Sequence, residues 1–312
     1  MIRAFGASTK MMTENVTKMV IKERSALSKG LPRTLKDLIV SDIGCSQMPI
    51  GILNLTNLLT LDLSCNNITK LPKQLGNLRL TKLMLNENKL GESTNLRDWD
   101  WLNGEQIRRN LNHLNMSKNN LIFIHANVFK CVSLGNLDLS YNKISKIPFA
   151  IKLMKQLRVF NISCNDLTSL PFTITKPFFD TIDLSSNKFP PQNKLLDEIQ
   201  ESHQKISNEH KYRAPTLLEL AARTVIKRQI PFLSHNIPHI IKEILFHSPL
   251  CANTKCETMC FDVDIFKSIN LIQLNAKAII TSDNSQHFIA DGPFCSRSCE
   301  KATNRKLFRH IL

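Results

Sequence analysis

One short motif recurs through the first two-thirds of the chain, and its spacing restricts the fold more than any other feature. Each copy has two apolar residues separated by one position, then two variable residues and an asparagine. The asparagines lie 22, 31, 23, 23 and 22 residues apart, so each copy belongs to a unit of nearly constant length. A weaker copy precedes them, with Ile43 in the asparagine position. The motif asparagines are Asn66, Asn88, Asn119, Asn142, Asn165 and Asn187.

This pattern predicts a leucine-rich repeat solenoid of about seven coils with α/β character. A unit of 22 or 23 residues cannot bury a core alone, so its apolar residues must stack on those of the next coil. Within Leu61-Asp62-Leu63, the period of two predicts a short strand with both leucines inward. The asparagine amide carries a donor and an acceptor, so a column of asparagines can satisfy buried backbone groups in the turns. Pro72, Pro148 and Pro171 predict extended segments or short helical turns on the convex side.

The residues between the inward leucines face out on the concave side of such a solenoid. They are the predicted substrate face, because they alternate out of the core and leave their side chains available to a partner. Arg158 and Asn161 are expected at the edge of the sixth strand. The candidate substrate contacts are Asp62, Met84, Asn115, Asp138 and Asp183.

The interval of 31 residues contains an insertion within residues 91–110. It holds both tryptophans of the chain, Trp99 and Trp101. Insertions in solenoids lie on one surface and often make contacts with partners. The simpler interpretation is that the indoles cover the neighbouring coil, and we prefer it.

Composition restricts the function further. The net charge of +15 allows a nucleic-acid partner, yet no basic motif with interleaved aromatic residues occurs, so solvated basic surface is the preferred interpretation. No apolar run is long enough to span a membrane. Four of the nine cysteines lie inside the repeats and form no flanking clusters, which favours a reducing compartment; they are Cys45, Cys65, Cys131 and Cys164. No nucleophile, base and orienting residue form a recognisable motif, which favours a protein that is not an enzyme.

A strong helix signal follows the repeats at residues 214–228. Thr216 and Glu219 form a capping box, and Leu217, Ala221 and Val225 recur every four residues. An amphipathic helix after a repeat array can close the open end of the core, or it can bind a partner. Periodicity alone leaves both alternatives open.

The order of motifs after the repeats resembles the substrate receptors of cullin-2 ubiquitin ligases that carry leucine-rich repeats. The helix resembles their BC-box, the segment that binds elongin C, and the IP-rich segment after it resembles their cullin box. The resemblance implies a helix-in-groove contact with elongin B/C, cullin-2 binding, recruitment of a RING subunit through the cullin, and nuclear, replication-linked or cell-cycle targets, with some cytoplasmic protein. The implied elongin C contacts are Thr216, Leu217, Leu220, Ala221 and Val225; the implied cullin contacts are Ile230, Pro231, Ile237, Pro238, Ile240 and Ile241.

The C-terminal part contains five further cysteines, Cys251 among them. In a reducing compartment such a cluster favours structural zinc over disulfides, because four thiolates complete a closed tetrahedral site. His247 and His287 are possible substitute ligands, and buried free thiols are the alternative. The runs 271–274 and 278–281 predict a small sheet beside the metal. The predicted zinc ligands are Cys256, Cys260, Cys295 and Cys299.

These signals divide the chain into five segments: a basic, partly disordered N-terminal segment (1–30), the solenoid (31–192), a polar linker (193–213), the BC-box and cullin-box helices (214–245) and a cysteine-rich module (246–312). They lead to the hypothesis of a non-catalytic substrate-recognition subunit of a cullin-2 RING ligase, with the repeats binding the protein target. The alternative is a leucine-rich repeat scaffold or regulatory protein that ends in a zinc module.

Overall fold

A computed structural model describes residues 17–190 apart from 94 and 176, and also residues 217, 220, 221, 224, 225, 238, 266–270, 274, 276–282 and 287–291. In chain order the strands are β1 (Lys18–Val20), β2 (Asp37–Ile39), β3 (Thr60–Asp62), β4 (Lys82–Met84), β5 (His113–Asn115), β6 (Asn136–Asp138), β7 (Val159–Asn161), β8 (Leu170–Pro171), β9 (Phe179–Asp183), β10 (Phe266–Asn270), β11 (Ala276–Ile280) and β12 (His287–Asp291).

The concave side is one parallel sheet of nine strands in the order β1-β2-β3-β4-β5-β6-β7-β9-β11. The seven motif copies supply β2 to β7 and β9, so the predicted count of seven coils is confirmed. Both leucines of the motif point inward, and Leu61 and Leu63 have no exposed surface. The apolar residues of all the coils form one continuous core. Stacking, rather than any single coil, therefore supplies the burial.

Short helices return the chain along the convex side. Most are 3-10 turns, and Pro49, Pro72 and Pro148 each immediately precede one, as a fixed φ favours. The predicted helical turns after the Φ-Pro pairs are thus confirmed. The 3-10 helices are Arg24–Lys29, Ile50–Asn54, Lys73–Asn77, Leu90–Glu92, Leu96–Asn103, Ala126–Lys130, Phe149–Leu153 and Phe172–Thr175, and the α-helix α1 is Glu105–Asn110.

The motif asparagines form the predicted ladder between coils. The Asn66 amide donates to the carbonyl of Val40 in the preceding coil at 2.7 Å and accepts from the N–H of Cys45 at 2.9 Å. Asn119 has no exposed surface and repeats the pattern, donating to Leu85 at 2.8 Å and accepting from Leu90 at 3.2 Å. These bonds satisfy backbone groups that no strand or helix pairs.

The insertion packs against the core and confirms the simpler interpretation of its tryptophans. Trp99 and Trp101 are 5% and 1% exposed and belong to the same core as the motif leucines. The backbone of the insertion contacts the preceding coil where Gly104 meets Gly76. Glycine is needed there because a Cβ on Gly104 would lie 2.2 Å from the carbonyl oxygen of Gly76. The Trp99 ring also stacks on His125, with the ring centroids 5.6 Å apart.

The described strands of the C-terminal part extend the solenoid: β11 joins the concave sheet, and β10 and β12 form a second, three-stranded sheet with β8 of the repeats. Strand β11 pairs in parallel with β9, β12 pairs in parallel with β8, and β10 pairs antiparallel with β12. Leu274 is 3% exposed within the solenoid core. The predicted run 278–281 is therefore a strand of the concave sheet, while Leu274 lies in a bend and residues 271–273 are outside the described part.

The domain boundaries drawn from the sequence change at both ends. Residues 276–291 were assigned to a cysteine-rich module, yet they supply strands to the solenoid because its last coil needs a neighbour on each face. At the other end β1 joins β2, so the sheet begins at Lys18, within the segment 1–30. Among the described residues, no helix is long and apolar enough to cross a membrane.

Candidate protein-interaction surfaces

The concave sheet brings the predicted substrate contacts into one row. The register aligns Asp62, Met84, Asn115, Asp138 and Asp183 across neighbouring strands, with Asn161 between the last two. All are partly exposed. Val159, rather than Arg158, is the second outward residue of β7, because the strand begins one residue later than expected. The row runs along the whole concave face and can present side chains to an extended partner.

Serine residues orient most of the side chains in this row. Oδ1 of Asp138 accepts hydrogen bonds from the N–H of Ser140 at 2.9 Å and from its Oγ at 2.7 Å. The same pair of bonds joins Asp62 to Ser64, Asn115 to Ser117, Asn161 to Ser163 and Asp183 to Ser185. The sequence analysis did not predict these hydrogen bonds, although a serine occurs two positions after each polar residue of the row.

A second row lies at the rim of the concave face, one position before each motif asparagine. Its members adopt a left-handed conformation, with φ between 53° and 57°, which is uncommon for residues other than glycine. Sequence reasoning did not identify this row, since these residues share a backbone conformation and no side-chain type. Its members are Asp42, Cys65, Glu87, Lys118, Tyr141, Cys164 and Ser186.

Contacts between neighbouring coils connect this rim row. The Lys118 ammonium lies 2.8 Å from Oε1 of Glu87, and the hydrogen bond between them lowers the pKa of Glu87 and raises the pKa of Lys118. The same ammonium lies 5.9 Å from the ring centroid of Tyr141. Tyr141 is 58% exposed, and its pKa is raised, first by a hydrogen bond with Cys164. An exposed aromatic ring among charged groups is a typical contact residue at protein interfaces.

His113 lies on the outward face of β5, in the middle of the concave surface. Burial lowers its pKa, and the nearby charge of Lys82 lowers it further, while Asp138 opposes both effects. The ring is therefore neutral at neutral pH, where it has one donor and one acceptor nitrogen. With Asn115 and Asn136 beside it, this part of the face can hydrogen-bond to both kinds of backbone group.

Five residues of the helix that resembles the BC-box are described, and all are helical: Leu217, Leu220, Ala221, Thr224 and Val225. Leu217 is 84% exposed and Leu220 is 46% exposed, whereas Val225 is 8% exposed. Val225 does not belong to the solenoid core. Thr216, Ile230, Pro231, Ile237, Ile240 and Ile241 lie outside the described residues, and Pro238 is exposed.

The predicted zinc ligands Cys256, Cys260, Cys295 and Cys299 also lie outside the described residues, as do Cys251 and His247. Backbone atoms place His287 at the start of β12. The four cysteines of the repeats are free thiols. Among them Cys131 is buried, and burial raises its pKa to about 12, so it behaves as a small apolar residue.

Comparison with known proteins agrees with this architecture. A family model described as Leucine Rich Repeat matches residues 57–78. The stacked coils and this match define the fold of the chain as a leucine-rich repeat solenoid. Within that class it is similar to Leucine-rich repeat protein 1 of Homo sapiens, with 32% identity over 291 residues, which is 91% of this chain and 65% of that protein. The chain spans less than two-thirds of that relative's own length.

Other similarities concern parts of the repeat region. Leucine-rich repeat-containing G-protein coupled receptor 5 of Rattus norvegicus is 34% identical over 119 residues, 37% of this chain and 12% of the receptor. A leucine-rich repeat protein of Leptospira interrogans has 27% identity and a TM-score of 0.45, covering 54% of this chain and 41% of that one. An internalin of Listeria monocytogenes has 20% identity and a TM-score of 0.41, and the match covers 53% of this chain and 45% of the internalin chain. The repeats make this chain a protein-interaction scaffold.

Proposed function

We propose that this chain is a non-catalytic substrate-recognition subunit of a cullin-2 RING ubiquitin ligase. The concave face binds the target, the helix at residues 214–228 binds elongin C, and the IP-rich segment binds cullin-2, which recruits the RING subunit. The proposal includes work in the nucleus, and also in the cytoplasm, on replication-linked or cell-cycle targets. Its sequence support is the similarity to Leucine-rich repeat protein 1 together with the order of motifs after the repeats.

The observation that supports the proposal is the exposure of two described leucines of this helix, Leu217 and Leu220. If the helix closed the core, Leu217 and Leu220 would be buried against the last coil, yet they are 84% and 46% exposed. Strands β11 and β12 cover that end instead. An exposed leucine pair one turn apart fits helix-in-groove recognition, in which a few aliphatic anchors supply most of the affinity.

The test is co-purification with elongin B/C. Leu217→Ala combined with Ala221→Phe removes one anchor and enlarges its neighbour, so we expect binding to fall below detection. Thr224→Ala, on an exposed position of the same helix, is the matched control and should bind as the wild type does. Circular dichroism of the repeats should be unchanged in both variants. Wild-type capture by the double variant, or loss of capture together with repeat unfolding, would refute the assignment.

The alternative function is a leucine-rich repeat scaffold or regulatory protein with a C-terminal zinc module. It keeps the concave face as the binding surface but needs no ligase subunit. Failure of the wild-type chain to bind elongin B/C, with the repeats folded, would favour it.

We also propose one structural zinc ion held by Cys256, Cys260, Cys295 and Cys299, because four thiolates suit a closed tetrahedral site. Purified protein should then contain about one zinc ion per chain. Chelation should loosen the C-terminal part first, since metal affinity there is part of the folding free energy. Protein prepared without chelator and free of zinc by elemental analysis would contradict the site.

A further inference from the structure

Asp138 and Asp183 are two acidic residues on the concave face of a chain whose net charge is +15. Asp138 and Asp183 occupy the same row, separated by Asn161 of β7. Oδ1 of each aspartate accepts a hydrogen bond from a serine Oγ at 2.7 Å. Oδ2 of each aspartate therefore remains available to a partner. Within the described residues neither carboxylate forms an ion pair, although four other pairs are present there.

An exposed aromatic ring lies beside these carboxylates. Tyr141 belongs to the same coil as Asp138 and is 58% exposed. Its N–H donates to the carbonyl of Ser163 in the next coil at 3.0 Å, and Cys164 beside that serine donates in turn to the carbonyl of Ser185 at 2.9 Å. Ser185 is the serine that donates to Asp183. Lys118 is the nearest cation to the ring, and its ammonium is already paired with Glu87 at 2.8 Å. That ammonium also lies 5.9 Å from the centroid of the ring. The exposed remainder of the ring and the two carboxylates form one surface that a further cation can reach.

We propose that Tyr141, Asp138 and Asp183 form a docking site for an arginine side chain in an extended segment of a partner protein. The proposal deepens the proposed function, because it specifies the cargo chemistry that the concave face selects. Arginine fits better than lysine, since a planar guanidinium can stack on an aromatic ring and donate to a carboxylate at the same time. A lysine ammonium can do only one of these well.

Other partners fit this surface poorly. Phosphate-rich partners such as nucleic acid would be repelled by both carboxylates. An apolar helix would bury Asp138 and Asp183 without a counter-charge, which is costly. An extended chain can reach both groups, because two neighbouring strand spacings amount to about 10 Å, which about three residues of extended chain span. Asn161 lies between the carboxylates and offers its amide to the backbone of that chain.

Substitution by asparagine tests the charges, because asparagine already occupies equivalent positions in the row. Asn115 and Asn161 make the same two hydrogen bonds to serine that Asp138 and Asp183 make. Asp138→Asn with Asp183→Asn should therefore keep the local structure and remove only the two charges. Asp166→Asn with Glu105→Gln changes the net charge equally at two exposed ion pairs away from the concave face, and it serves as the control.

Peptides from a random 12-residue phage library, selected on the full chain, provide the probe. We expect an arginine at a constant position in the selected peptides. A synthetic peptide should bind at least about tenfold more weakly, by fluorescence anisotropy, when that arginine is replaced by lysine. The same loss is expected with the Asp138→Asn, Asp183→Asn variant and with Tyr141→Ala. The Asp166→Asn, Glu105→Gln control should stay within about twofold of the wild type.

Two results would overturn the proposal: selected peptides that lack arginine, or arginine peptides that bind the Asp138→Asn, Asp183→Asn variant within about twofold of the wild type. Elongin B/C capture, measured on the same preparations, separates this outcome from the proposed function. Failure of the wild-type chain to capture elongin B/C would reject the ligase role and would not affect the conclusion about peptide binding. Loss of peptide binding alone would reject only the arginine site.

Discussion

At the residue scale, the asparagines show how one side chain can hold two coils together. Each amide satisfies backbone groups in its own coil and in a neighbouring one, so its contribution depends on burial as well as on hydrogen bonding. The sequence was sufficient to predict this role, because the amide chemistry and the repeat period are both local. It was not sufficient to predict the left-handed residue before each asparagine, since Tyr141, Lys118 and Cys164 share no side-chain property.

Asn119→Ala should destabilise the solenoid substantially. The substitution removes the acceptor of the Leu90 N–H. The Leu85 carbonyl loses the Asn119 amide but keeps the Asn88 amide at 3.1 Å. A buried backbone group without a partner costs about 1–3 kcal/mol, so urea unfolding should show a loss of that size. Asn67→Ala, at an exposed position, should change the unfolding free energy by less than about 0.5 kcal/mol. Equal effects of the two substitutions would contradict the ladder's role.

The acidic side chains of the concave row are hydrogen-bonded within their own coils. Side chains that alternate out of the core are usually tolerant of charge reversal. Asp138 and Asp183 are not free side chains, however, because Oδ1 of each accepts two hydrogen bonds from serine. Reversal to lysine would leave those serine donors without their acceptor, so substitution by asparagine is the cleaner change at these positions.

At the element scale, the insertion shows how extra length is absorbed by a solenoid. The additional residues form the 3-10 helix Leu96–Asn103 and α1, and their aromatic side chains join the core. The close approach requires glycine at Gly76 and Gly104, where each backbone lies against the other. The sequence left two alternatives for the tryptophans, and only the packing of this segment on the preceding coil decides between them.

Gly104→Ala should lower stability by about 1–3 kcal/mol, as expected for overpacking. The added Cβ would meet the backbone of Gly76 rather than a flexible side chain, so relief requires a shift of the whole insertion. Gly51→Ala is the control, because nothing lies within 4 Å of its Cβ position. Thermal unfolding of both variants gives the measurement, and an unchanged melting temperature for Gly104→Ala would show that the insertion is not tightly packed.

At the scale of the whole molecule, the C-terminal strands return to the repeats after a long excursion along the chain. Strands β9 and β10 are separated by residues 184–265, and that interval contains the helix that we propose binds elongin C. Both ends of the interval are therefore anchored to the solenoid. In a substrate receptor, this connection ties the adaptor-binding segment to the coil that carries Asp183.

Deletion of residues 266–312 should destabilise the last coils. It exposes the edge of β9 and uncovers Ile182 and Leu184, which are at most 1% exposed. Replacement of residues 193–262 by a flexible linker should instead leave the repeats folded, since β10 to β12 remain. Limited proteolysis followed by mass spectrometry compares the two proteins. Earlier cleavage near β9 in the linker variant than in the deletion variant would contradict the assignment of β11 and β12 as the closing strands.

The sequence by itself determined the repeat class, the number of coils, the inward leucines, the asparagine ladder and the row that contains Asp138 and Asp183. These features follow from a short period, so each is encoded within one unit. Only the tertiary structure decided that the tryptophans are buried, that Lys118 and Tyr141 meet across neighbouring coils, and that β11 and β12 close the solenoid. Those contacts join residues of different coils or distant parts of the chain, and neither propensity nor spacing carries a signal for them.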